Sequence, residues 1–197
     1  MPNARRAVTR SFVSSLLLAA VPGLALAHPG PHQATDLWSG LLHPLTGIDH
    51  LLAMLAVGLW SVQLGRKAVW VLPAVFPIAM LLGAALGMAN AGLPLIEPTI
   101  AASVIAMGVA VACGVRLPLT ASAVLISFFA IFHGYAHAAE MPANGTMAIY
   151  AAGFVSATVL LHVLGVKAGM WLAHANQAAT RMSGTAIALT GAALLVI

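Results

Sequence analysis

Two short stretches of this chain hold most of the side chains that could do chemistry. The first is Phe132-His133-Gly134-Tyr135-Ala136-His137-Ala138-Ala139-Glu140. On an α-helix, positions i, i+4 and i+7 fall within about 60° of one another, so His133, His137 and Glu140 make one polar stripe on an apolar segment. The second is His43-Pro44-Leu45-Thr46-Gly47-Ile48-Asp49-His50, with Met54 one turn on. In a continuous helix His43 and His50 share a side two turns apart. Alternatively Pro44 breaks the helix and Thr46 caps a new one that starts just after it. Either geometry aims His43, Asp49 and His50 at one cavity. Imidazole and carboxylate together suit Zn, Ni, Co, Cu or Fe, whereas Mg and Ca prefer all-oxygen sites. Asp49 either ligates or orients a ligating imidazole from behind. The bland alternative is a set of core histidines bonded to backbone carbonyls with acids at the interface. Against it stands the cost of a charged group at mid-membrane, roughly 2.5–3.5 kcal/mol on insertion scales.

Weaker candidates surround these. Glu97, beside Pro98, is either a further ligand or a first-turn acid that suits the helix dipole. His28 and His32, in His28-Pro29-Gly30-Pro31-His32, would flank the α-amine of a mature N-terminus and could bind a borderline ion there, or belong to a solvated tail. Met54, Met80, Met88 and Met107 read as packing. His162, near the inner end of a fifth span, and His174, in the loop after it, are lone histidines. They fit an exit station or an ordinary core role.

The elements that must position these residues follow from composition. Of 197 residues, 61% are hydrophobic and 6% charged, and the mean hydropathy is +1.01. A soluble domain carries about a quarter charged residues, so a soluble globule is excluded, and disorder needs the opposite composition. The basic pI comes from eight Lys and Arg against four Asp and Glu. These are scattered, and nucleic-acid binding needs a clustered patch. A single cysteine, Cys113, rules out an intrachain disulfide. The expected fold is all-α: a polytopic membrane helix bundle of about six transmembrane helices after a cleavable signal peptide.

Residues 1–27 carry the signal pattern: Arg5, Arg6 and Arg10, an apolar run from Phe12 to Leu24, then Ala25-Leu26-Ala27. Residues 28–197 would form a single transmembrane domain. Its expected spans are 37–64, 69–90, 95–114, 118–139, 147–167 and 180–197, the last with room to begin earlier, after Trp171. Turn-forming pieces separate them, and helices are the plausible spanning form. Beyond the signal, the basic residues are Arg66, Lys67, Arg116, Lys167 and Arg181. All fall in loops that alternate to one side, which the positive-inside rule makes cytoplasmic. The mature N-terminus is then periplasmic, and the candidate ligands of spans 1, 3 and 4 lie in the outer half of a bacterial cytoplasmic membrane. Trp38, Trp60, Trp70 and Trp171 fit aromatic belts. Gly83 and Gly87 form a GxxxG suited to close helix packing, which is compatible with a homo-oligomer without requiring one. No Walker A, GxGxxG or GxSxG pattern occurs.

With these motifs in place, the chain resembles the HupE/UreJ family of membrane proteins, associated with hydrogenase and urease gene clusters and regarded as nickel/cobalt permeases. The similarity includes the signal peptide followed by His28-Pro29-Gly30, the stretch from His43 to Met54, and Phe132-His133-Gly134-Tyr135-Ala136-His137. The resemblance implies that His43, Asp49, His50, His133, His137 and Glu140 handle metal. It also suggests Glu97, gives nickel as the first cargo, and points to hydrogenase or urease maturation proteins as partners. Ala138 departs from it, since the family pattern has Gly there. The expected function is therefore a permease for Ni2+ or Co2+, with no permanent cofactor, a divalent ion and the lipid bilayer as partners, and no nucleic acid. Two other readings fit the residues. One is an intramembrane hydrolase with Zn2+ on three protein ligands and Asp49 or Glu140 as general base for a lipid-like substrate. The other is a metal sensor or chaperone anchor that binds without flux.

Overall fold

A computed structural model describes residues 37–139 and 147–196. Seven helices make up the regular structure of these residues: α1 (Leu37–Thr46), α2 (Ile48–Leu64), α3 (Ala68–Met88), α4 (Ile96–Cys113), α5 (Leu119–Ala139), α6 (Met147–Ala175) and α7 (Gln177–Leu194). The expected signal peptide, His28, His32 and Glu140 lie outside the described residues.

The chain is a polytopic membrane helix bundle. α3, α4, α5 and α6 are each long and apolar enough to cross a bilayer, and α1 with α2 make a further span if the bent pair is counted as one. A 21-residue helix such as α3 or α5 is about 31 Å long, close to the ~30 Å of a hydrocarbon core. α7 has 18 residues, but Gln177, Thr180, Arg181, Ser183 and Thr185 make it less apolar than the other spans. It packs chiefly against α4. Large apolar side chains such as Trp70, Ile78, Val124 and Leu189 are exposed, as a lipid-facing surface requires.

α2 is the central helix, packed against α3, α4, α6 and α7. Its residues 56–61 are buried without a break, the mark of a helix apolar all round and enclosed on every side. The other principal pairings are α3 with α5, α4 with α7, and α1 with α6.

Glycine sets how close these pairs come. A Cβ at Gly134 of α5 would run into the Met80 carbonyl of α3, and one at Gly83 of α3 into the Ile131 carbonyl of α5. With no hydrophobic force between helices in lipid, such backbone contact is what binds them. The same reciprocal arrangement joins α4 to α7 at Gly108 and Gly184, α2 to α6 at Gly58 and Gly165, and α1 to α6 at Gly40 and Gly153. The GxxxG of α3 is thus occupied inside the bundle. Its second glycine, Gly87, makes room for the methyl of Ala138, which a Cβ there would meet at 2.9 Å.

Several expectations are corrected. The segment 37–64 is no single straight span, because α1 and α2 meet at 80° across Gly47. Pro44 stays inside α1, and the break falls three residues later. Thr46 does not cap α2: its hydroxyl donates to the His43 carbonyl at 3.0 Å, and Gly47 stands at the N-cap with no side-chain cap. The fifth span does not stop at 167. α6 runs on to Ala175, because an exposed Lys167 can reach polar surroundings without ending a helix. His162 therefore lies in mid-helix, not near an inner end, and His174 sits in the last turn of α6, not in a loop. Trp60 is no belt residue. It is fully buried and its indole N–H donates to the Val115 carbonyl at 2.9 Å. Trp38, Trp70 and Trp171 are exposed.

Candidate metal site

The α1–α2 break brings the two motifs together. Thr46 ends α1, and α2 restarts with Asp49 in its first turn, where the helix dipole favours a carboxylate. Asp49 Oδ1 accepts the backbone N–H of His50 at 2.8 Å and its Nδ1 at 2.7 Å. A carboxylate beside an imidazole donor fixes the tautomer, with the proton on Nδ1 and a lone pair on Nε2. That Nε2 is buried and has no hydrogen-bond partner.

α5 supplies the facing imidazoles. His133 is fully buried and its Nδ1 lies 3.0 Å from the Phe129 carbonyl one turn back. A carbonyl can only accept, so Nδ1 carries the proton and the lone pair again falls on Nε2, which is likewise unpartnered. His137 is buried and neither of its nitrogens has a partner. Four buried imidazole nitrogens without partners, on three residues, are an anomaly, since buried polar atoms are nearly always bonded.

The rings stand in a row. His43 meets His137 with centroids 4.6 Å apart, His137 meets His50 at 4.3 Å, and His50 meets His133 at 4.8 Å. His43 and His50 are 6.4 Å apart, so His137 bridges them. Phe154 of α6 packs on His137 at 4.4 Å and on His43 at 6.0 Å, with Tyr150 6.1 Å from His43. At the inner end of the row, the ring of Phe76 of α3 meets His133 at 5.7 Å. Phe76, Tyr150 and Phe154 were not singled out from the sequence. An aromatic in an apolar run carries no polar signal, and only the fold shows that it walls a polar site.

Among the described residues, no three His, Cys, Asp or Glu side chains are set out as ligands of a single ion. The imidazoles meet in pairs, His43–His137 and His50–His133 edge to face and His50–His137 tilted at 55°. Glu97 does not join the row. It is exposed at the start of α4 and shares with Asp49 a cleft of about 250 Å³ that Ile100 and Leu194 also line. The cleft thus puts one further acid, Glu97, on the carboxylate side of the Asp49–His50 pair. Met54, Met80 and Met107 are buried in the core and Met88 is exposed. At the opposite end of the bundle, Arg66, Lys67, Leu117 and Leu119 line one cleft, so the α2–α3 and α4–α5 connections lie at the same end.

Comparison with known proteins adds an independent line. The family described as HupE / UreJ protein matches residues 16–194. Protein HupE of Rhizobium leguminosarum bv. viciae is 44% identical over 186 residues, which is 94% of this chain and 97% of that protein. No solved structure matches.

Proposed function

Because this chain belongs to the HupE / UreJ family, we propose that it is a permease of the bacterial cytoplasmic membrane, passing Ni2+, and Co2+ as a second cargo, inward for hydrogenase or urease maturation. The observation that carries this reading is the row His43, His137, His50, His133 with its unpartnered nitrogens. Neutral imidazole lone pairs suit borderline divalent ions, and a row of pairs lets one ion change partners step by step. A transport site must release what it binds. Two ligands at a time serve that better than a closed cage.

Asp49 and Glu97 in their shared cleft attract the cation at the periplasmic mouth. In this reading Asp49 works from behind His50, raising its basicity and aiming Nε2 along the row. Glu140, His28 and His32 are kept as further candidate donors from the sequence. Arg66 and Lys67 at the other end support a cytoplasmic position for that end. The membrane potential supplies a driving force: about 2.3 kcal/mol per charge per 100 mV, or about 4.6 kcal/mol for a divalent ion.

A hydrolytic zinc centre needs three fixed ligands and an open water position. Imidazoles arranged in pairs favour transfer. The test is uptake of radiolabelled nickel in a permease-deficient strain, with wild type compared against His133→Ala at equal membrane abundance. Wild type is expected to take up nickel and the variant to lose it. Wild-type uptake at background, together with tight stoichiometric zinc in the purified protein, would overturn the proposal in favour of the hydrolase.

A further inference from the structure

The row of rings does not end at His133. Phe76 touches His133 on one side and, at 5.0 Å between centroids, His162 of α6 on the other. His162 is fully exposed to neither lipid nor water: its relative accessibility is 0%. The Thr158 carbonyl one turn back is within electrostatic reach of the ring, but neither ring nitrogen makes a well-formed hydrogen bond. His133 and His174, also on helices, each bond the carbonyl one turn back, so an imidazole kept only for packing has an easy way to satisfy itself. Loose packing does not explain the exception either. α2 closes against α6 here, where a Cβ at Gly58 would meet the His162 carbonyl at 2.6 Å. A fully buried imidazole at mid-helix without a well-formed hydrogen bond has a lone pair to offer.

Depth agrees. α2 gives a common scale: His50 lies against His133, and Gly58, where an added Cβ would meet the His162 carbonyl, is eight residues further along, about 12 Å at 1.5 Å per residue. Phe76 separates His133 from His162, and α3 is soft where it carries that ring. Pro73 and Pro77 both lie inside α3, so the Val69 and Pro73 carbonyls lack their helical N–H donors, which is a recognised cause of local bending.

The geometry points to His162 as a second station for the divalent cation, deeper in the bundle and separated from the His43–His133 row by the Phe76 ring. This rests on the permease reading. The ion leaves Nε2 of His133 and is taken by a ring nitrogen of His162 once Phe76 swings aside. No covalent bond or redox change is involved.

The test swaps the ligand. Full-length Cys113→Ser protein is the background, since Cys113 is exposed and outside the row. In it, His162→Cys is purified in detergent and titrated with Co2+. A thiolate-to-cobalt charge-transfer band in the near ultraviolet is expected, saturable and missing from His162→Ala in the same background. Visible cobalt bands from the upper row, unchanged from the parent and without the charge-transfer band, would overturn the second station while leaving the permease intact. The absence of visible bands even from the parent protein would overturn the permease reading and this inference with it. Nickel uptake in cells gives a second readout. His162→Gln is expected to lower the rate by about tenfold or more, the scale of losing one metal partner, with cobalt affinity at the upper row unchanged. An unchanged rate at equal abundance overturns the proposal.

Discussion

The Asp49 carboxylate accepts two hydrogen bonds from the residue that follows it, one from backbone and one from the ring. If its task is to orient His50, Asp49→Asn should weaken metal binding by about 10–100-fold, the usual cost of losing a partner behind a ligating imidazole. Equilibrium binding of nickel to the purified protein measures this, and an unchanged affinity would speak against the orienting role. Gly47 tests the same pair from the other side. Its φ of −79° and ψ of 111° suit any residue, but a Cβ there would stand 3.0 Å from Asp49 Oδ1 and 3.1 Å from His50 Nδ1. Gly47→Ala should therefore leave the protein folded and abundant while lowering nickel affinity, because the carboxylate or the ring must shift a few tenths of an ångström. The imidazoles and carboxylates and their spacing were readable in the sequence, and so were the two geometries open to the stretch around Pro44. The wall residues Phe76, Tyr150 and Phe154 were not, since nothing in an apolar run marks which aromatic faces an imidazole. The split between Asp49 behind His50 and Glu97 out in the cleft was also hidden, because it depends on where α4 starts relative to α2.

At the scale of elements, reciprocal glycines hold the row's supports in place. α3 carries Phe76 and α5 carries His133 and His137, and the two touch through Gly83 and Gly134. Gly134→Leu should force them apart at an overpacking cost of about 1–3 kcal/mol. Thermal unfolding in detergent should then begin at a lower temperature than in wild type, and an unshifted transition would contradict the close contact. Helix boundaries were legible where Pro, Gly and Asn cluster, as between α3 and α4. They failed where charge stood in for a stop signal. Lys167 is exposed on α6 and the helix continues for two more turns, which moved His162 from a rim to the middle of the bundle.

For the whole molecule, the separation of acids at one end from Arg66 and Lys67 at the other gives the proposed flux its direction. In vesicles with a potential of 100 mV, negative inside, the divalent cargo should accumulate about two-thousandfold, from about 4.6 kcal/mol of electrical work. Collapsing the potential with valinomycin and potassium should abolish that gradient; persistence of the gradient would require proton exchange or a partner protein. The 80° turn between α1 and α2 has a mechanical consequence. If α2 crosses the bilayer along its normal, α1 lies close to the membrane plane, and the exposed Trp38, Leu42 and Leu45 on its flank meet the lipid. Hydrophobic mismatch therefore bears on His43 before it reaches the buried rings. Acyl-chain length and lateral pressure become rheostats on the outermost imidazole, while the interior stays clamped.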